Sequence, residues 1–251
     1  MSTPSCRALV GGILLLFLAQ NSLVVIASGK PIIEILRNDE CNECDEFLSV
    51  LSKNSLQDEV IVIQWLSPEI SSELGRNAYL ARQSIHNTNT NNSIVVNGES
   101  HSVNDLETVL EAVQYNILIS KKDAEMKIQL LENNEELIIL TNISTLEKLP
   151  SDAVMITTIV ESYAADPNDL ELGGIENLGR LFRFTYRFDK SEGEQSNVWT
   201  NISFDDLNSE GILIDSIESY RINQYILTSL NGSTISSIST KLTHDGTIST
   251  A

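Results

Sequence analysis

The stretch from Pro31 to Trp65 reads PIIEILRNDECNECDEFLSVLSKNSLQDEVIVIQW. Its opening, Pro31 to Leu36, is a short apolar run rich in β-branched residues, the composition of a buried strand, and Arg37 to Asn42 is polar and loop-like. From Cys44 the spacing changes. Phe47, Leu48, Leu51 and Leu56 recur near every 3.6 residues and mark one apolar face of a helix, which Gln57-Asp58 ends. Glu59 to Trp65 (EVIVIQW) is a second strand. A Cys-x-x-Cys pair, Cys41 and Cys44, therefore falls at a helix start between two strands.

Working outward, Pro68 to Ile85 reads as a helix, with Pro68 in the first turn and Ile70, Leu74, Ala78 and Ala81 on one face. Ser93 to Val96 is a strand, Asn97-Gly98 is a type I′ hairpin signal, and Glu99 to Ser102 returns. Asn104 to Tyr115 is amphipathic through Leu106, Val109, Leu110 and Val113. The order βαβαββα is that of thioredoxin, so an α/β thioredoxin-like domain is expected over residues 30–119. Beyond residues 120–123 short β-type runs alternate with turns. Met126 to Leu131 and Glu136 to Asn142 form a hairpin, followed by Ala153 to Glu161, Arg180 to Asp189, Val198 to Ser203, Ile212 to Ile217, Gln224 to Leu230 and Thr234 to Leu242. They predict a separate antiparallel, sandwich-like all-β domain over 124–251. In Phe182 to Phe188 the alternation places Phe184 in a core and turns Arg183, Thr185 and Arg187 to water.

The first 29 residues read as a targeting segment. Arg7 precedes an apolar run from Ala8 to Ala19, which resumes at Leu23 to Ala27, with cleavage expected after Ala27 or Gly29. Uncleaved, Ala8 to Ala27 is long enough to act as a signal anchor. Export to a periplasmic or extracellular compartment follows. Thirty-five acidic against 16 basic residues give a formal charge of −19, which excludes nucleic acid as a partner and leaves membrane contact only to an uncleaved N-terminal segment.

Export also sets the reading of the cysteines. Cys6 belongs to the targeting segment, so Cys41 and Cys44 are the mature pair, in a compartment that permits disulfides. Their loop is too small to staple a fold by chain entropy, and an inert local disulfide stands beside a redox role. Asp39, Glu40, Glu43, Asp45 and Glu46 crowd the pair with carboxylates that oppose a thiolate, predicting a reducing couple with a comparatively stable disulfide. His86 and His101 flank the hairpin without the spacing of any standard metal site, and His244 lies in a polar tail. The acidic cluster lacks the alternation and central glycine of a calcium loop. Neither a Gly-x-Ser-x-Gly elbow nor a phosphate-cradling glycine loop occurs, Gly173-Gly174 reads as a turn, and no cofactor is expected. Sequons at Asn91, Asn142, Asn201 and Asn231 are glycosylation acceptors only along a glycosylating export route.

Four features in this order, Cys41-x-x-Cys44, Arg76 with Tyr79, the hairpin Ile94 to Gly98 and the turn Gly174 to Arg180, resemble the secreted, mostly bacterial proteins of DUF family 1223 over about residues 30–242. The resemblance implies a thioredoxin-like fold with a C-terminal β domain and an activity that is itself unassigned. Two departures matter. The family's Tyr-Thr-Pro-Gln stretch, whose proline matches the cis-proline facing the cysteines in thioredoxins, is Thr90-Asn91-Asn92-Ser93 here. A cis bond before a non-proline residue costs about 2.5–4 kcal/mol, so the bond before Asn92 is expected trans and the docking loop Asn91, Asn92, Ser93 reshaped. The family's His-Val-Asp-Tyr-Trp stretch is also absent, Trp65 to Pro68 passing straight into the next helix.

Three functional classes follow. One is a thiol–disulfide oxidoreductase acting on an unidentified protein or thiol, with Cys41 as the more exposed attacking thiol and Cys44 resolving. Another is a redox-inert binding module that uses the Thr88 to Ser93 loop or the β domain. The last is a metal carrier through the two thiols.

Overall fold

The structure, a computed structural model, describes residues 29–38, 41–67, 76–88, 92–120, 124–132, 135–145, 149–164, 175–188, 195–212, 219–230 and 232–242. In chain order the elements are β1 (Ile32–Arg37), α1 (Asn42–Lys53), β2 (Ile61–Leu66), α2 (Arg76–His86), β3 (Ser93–Val96), β4 (Glu99–His101) and α3 (Leu106–Ile119). Then come β5 (Ala124–Glu132), β6 (Glu136–Thr145), β7 (Val154–Ala164), β8 (Ile175–Arg187), β9 (Gln195–Ser203), α4 (Phe204–Ser209), β10 (Tyr220–Leu227) and β11 (Thr234–Lys241). Residues 1–28 of the targeting segment, Pro68, Ile70, Leu74, Asn91, the Gly173-Gly174 turn, the body of the Ile212 to Ile217 run, Asn231 and His244 lie outside the described residues.

The expected pairing of an α/β thioredoxin-like fold with a separate all-β fold is not what forms. One mixed sheet of eight strands runs through both halves in the order β11-β10-β7-β8-β2-β1-β3-β4, and the chain is mostly β. The junction is β2 with β8, parallel at Gln64 and Leu178, where the buried Gln64 amide donates to the Glu176 carbonyl at 2.7 Å. The physical reason is the outer edge of β2. All of Ile61 to Trp65 is buried, and an unpaired edge there would leave backbone groups without partners. A three-stranded antiparallel sheet, β5-β6-β9, stands apart from the long one.

Three apolar cores hold these layers together. Phe47 and Leu51 of α1 and Val109 and Val113 of α3 cover Ile33, Ile35 and Ile94 on one face of β1 and β3. On the opposite face Ile32, Ile63 and Trp65 share a core with Val154 and Ile156 of β7 and Tyr225 of β10, so the long sheet curls over itself, in the sense expected of twisted strands. The third core joins Met126, Ile139 and Val198 of the small sheet to Met155, Ile222 and Ile238. Every residue of β1 is buried because both of its faces are covered.

Several local expectations meet the structure. Asn97 and Gly98 have φ of 49° and 93°, both left-handed as a type I′ turn requires. Of the expected turn from Gly174 to Arg180, the described part, Ile175 to Arg180, is the start of β8, with Asn177 at φ 54°. The short helix α4, unanticipated, is started by Ser203, whose hydroxyl accepts from the Asp206 N–H at 3.0 Å, with Asp205 and Asp206 in its first turn.

Phe184 is also corrected. It is 48% exposed, and because the β7–β8 register shifts between Met155 and Ile156 it pairs with Ile156 on the face opposite to Phe188. Leu181 and Phe188 face the same core from opposite sides of that shift. Phe184→Asp is therefore expected to change stability by less than about 1 kcal/mol, as an exposed position should, whereas Phe188→Asp unfolds the chain. Thermal denaturation of the two variants distinguishes them.

Candidate functional site

The cysteine pair sits just beyond the C-terminal end of β1. Cys41 caps α1, its Sγ accepting from the Cys44 N–H at 3.2 Å, and the two sulfurs form a disulfide with Cα atoms 5.2 Å apart. The spacing places both residues in the first turn, and the apolar face of α1 draws them into the core under Phe47 and Ile94. Neither residue exposes any surface. The expectation that Cys41 is the more exposed of the two is thus not met.

The surrounding charge is less one-sided than the run of acids suggests. Arg37, the last residue of β1 and nearly buried, donates to Asp45 Oδ1 at 2.7 Å and to Gln64 Oε1 at 3.1 Å. Asp45 is therefore neutralised by a cation from the strand below, while Glu46 is exposed and Glu43 half-buried. Asp39 and Glu40 lie outside the described residues.

Of the docking loop, Asn92 and Ser93 are placed and Asn91 is not. The Asn38 N–H, three residues before Cys41, donates to Asn92 Oδ1 at 2.8 Å, while Ser93 is buried at the start of β3 opposite Leu36. The Asn92 side chain thereby clasps the loop that leads into the cysteines. Among the described residues no three of His, Cys, Asp and Glu gather as a metal site would require. His101 pairs with Ile94 across β3 and β4. Asn142 and Asn201 are exposed on strands of the small sheet.

His86 belongs to a group the sequence reading passed over. Glu34, in the middle of β1, points into the curled sheet and is 3% exposed. Its carboxylate receives both an Nε and an Nη2 hydrogen bond from Arg82, the first at 2.6 Å, and the Trp65 indole N–H at 2.9 Å. His86, one turn beyond Arg82, brings Nε2 to 2.7 Å from Arg82 Nη2 and 3.3 Å from Glu34 Oε1. Arg82 also stacks over the Phe182 ring at 4.8 Å. Burial alone would raise the Glu34 carboxyl, but the attraction of Arg82 and the His86 hydrogen bond outweigh it and hold Glu34 well below the usual carboxylate range. Burial pushes the Tyr225 phenol up, and the negative Glu34 pushes it further, so Tyr225 stays neutral at any physiological pH. The arrangement can hold one buried ion pair in a fixed geometry, and it ties α2 to the sheet.

No family model and no curated protein matches this chain. Solved structures do. HBP35 of Porphyromonas gingivalis superposes with a TM-score of 0.63 at 10% identity, over 85% of this chain and 75% of its own. Protein AGR_C_4864 from Agrobacterium tumefaciens gives 0.54 at 10% identity, over 90% of this chain and 100% of its own. At such identity the likeness is one of fold, and it spans both halves of the chain, as the continuous long sheet requires.

Proposed function

We propose that this chain is an exported binding module whose Cys41–Cys44 bridge is a sealed structural element, with recognition of a protein partner running through the Asn92 edge or the β-rich half. The carrying observation is burial. Thiol–disulfide exchange needs a thiolate to reach a sulfur, and both cysteines are without exposed surface. The clasp from the Asn38 N–H to Asn92 further closes the edge along which a substrate would lie. The bridge is expected to resist dithiothreitol and glutathione in the folded protein and to yield two thiols only after denaturation, as counted by thiol titration. A fast, reversible two-thiol change with disulfide-reductase turnover would overturn this reading.

One observation favours a second reading, a thiol–disulfide oxidoreductase with Cys41 attacking, Cys44 resolving, and Asn91, Asn92 and Ser93 docking the substrate. The Cys44 N–H aimed at Cys41 Sγ, at a helix N-terminus, would stabilise a thiolate on Cys41 once the bridge opens. That chemistry requires the clasp to release. Under it, Asn92→Ala raises the reduction rate about fivefold, the factor for a hydrogen bond of ~1 kcal/mol. Under the sealed-bridge reading the same variant leaves the bridge unreactive. With its sulfurs joined to each other, the pair offers no thiolates to a metal.

A further inference from the structure

Four strands end the two sheets, β11 and β4 of the long one and β5 and β9 of the small one. The first three are protected. β4 is only three residues long and carries Glu99, while β11 and β5 lie against each other, the Ser236 hydroxyl donating to the Ala124 carbonyl at 2.8 Å. β9 has no such cover among the described residues. Its nine residues, QSNVWTNIS, include no charge, proline or glycine, and they pair with β6 from end to end without a bulge, so the devices that blunt a sheet edge are missing.

The register determines which backbone groups this edge offers. The Phe204 N–H donates to the Glu135 carbonyl at 2.9 Å, and with Ser203 opposite Glu136 this makes Val198, Thr200 and Ile202 the residues that exchange hydrogen bonds with β6. Asn197, Trp199 and Asn201 therefore turn their N–H and C=O groups away from β6, toward the open side. Their side chains stand on the outer face of the small sheet, where both asparagines are exposed and Trp199 is 58% exposed, although the chain's other tryptophan, Trp65, is fully buried.

An edge of this kind accepts another extended strand, and β9 is complementary to itself. Antiparallel pairing about a two-fold axis through Trp199 is the register that engages all nine residues, with Trp199 opposite Trp199 of a second copy, Asn197 opposite Asn201 and Val198 opposite Thr200. Outward residues then fall opposite outward residues and exchange both backbone hydrogen bonds. Indole meets indole and amide meets amide, both favourable cross-strand pairs, and no like charges oppose each other. That neutrality matters in a chain of formal charge −19, whose copies repel one another as wholes.

We infer that β9 is a dimerisation edge, at which two copies of this chain join their small sheets into one continuous antiparallel sheet, three strands from each, across an isologous two-fold. The inference does not rest on the state of the disulfide.

The test is sedimentation velocity of the full chain, in a Cys6→Ser background and dilute nonionic detergent, so that neither a thiol nor the apolar run Ala8 to Ala27 joins copies. A monomer–dimer equilibrium is expected that tightens with added salt, as the repulsion between two acidic chains is screened. Two double variants read the register. Asn197→Lys/Asn201→Lys sets lysine against lysine at both asparagine pairs and is expected to weaken the dimer about tenfold, even though it makes each chain less negative. Asn197→Glu/Asn201→Lys sets glutamate against lysine and is expected to keep the wild-type affinity. Both positions are exposed, and both variants place lysine beside Glu136, whose carboxylate accepts from the Asn201 amide at 3.3 Å, so the two monomers are matched. A dimer that both variants leave intact lies elsewhere and overturns the edge, and one weakened equally by both overturns the Trp199-centred register. A wild-type chain that stays monomeric at every salt concentration overturns the second copy as occupant and leaves the edge to an extended segment of another protein.

Discussion

Replacing Glu34 by alanine is expected to cost about 3–5 kcal/mol, a fall in Tm of about 6–20 °C for a chain of this size. The loss comes from what remains. Arg82 is 1% exposed, and without its carboxylate it becomes a buried cation while the Trp65 N–H loses its acceptor. Glu34→Leu/Arg82→Met, which removes both charges and keeps the volume, should lose less than either single variant. The same pair sets a pH dependence. The Glu34 carboxyl is depressed in the folded state, so its contribution is present above the ordinary carboxylate range near 4.5 and is lost as pH falls through the lower folded value. Thermal midpoints recorded from neutral to acid pH should show this decline in the wild type, and the double variant should lack it. A Glu34→Ala midpoint within about 2 °C of wild type, less than 1 kcal/mol, would remove the ion pair from the account of stability.

Gly179→Ala is expected to cost about 1–3 kcal/mol, and Gly179→Val more. A Cβ at this position in β8 meets the six-membered ring of Trp65 well inside van der Waals contact. The ring has nowhere to go. It is fully buried, and its N–H is committed to Glu34, so any retreat breaks a buried hydrogen bond. Trp65→Phe should relieve the clash, and the pair Gly179→Ala/Trp65→Phe should cost less than the sum of the two single changes. Strict additivity in chemical denaturation would show that the two positions do not meet.

The local elements were legible in the sequence wherever one period dominated. The α1 face through Phe47 and Leu51, the Asn97-Gly98 turn and the β5–β6 hairpin all follow from spacing or turn chemistry that acts within a few residues. The β2–β8 junction was not, because a strand buried on both faces reads the same whether its edge is free or paired. Gln64, a polar residue inside EVIVIQW, was the signal that the edge has a partner. Glu34 inside PIIEIL was the matching signal for the buried cluster. Arg82 and His86, four apart on α2 and one helical turn from Ala78, were the residues able to answer it. Phe184 failed for another reason. A one-residue bulge reverses every side chain beyond it, and nothing in an alternating run of aromatics marks where the bulge falls. For the disulfide, spacing identified the pair but could not give its depth, which depends on how α1 packs on β1.

The long sheet also bears on the order in which the molecule is made. Ser237 in the last strand holds the Lys30 carbonyl, 207 residues away, and the Thr234 N–H donates to Asn97 Oδ1 across 137. A chain emerging from the ribosome presents β1 to β4 long before β8 exists to cover β2, and before β10 and β11 can close the corner at Lys30. Its early half therefore waits with an apolar edge uncovered, and completion is deferred until β8, β10 and β11 have followed it. Fragments that end before β8 should on this account be poor folders and should depend on chaperones, and folding should complete in a single late step.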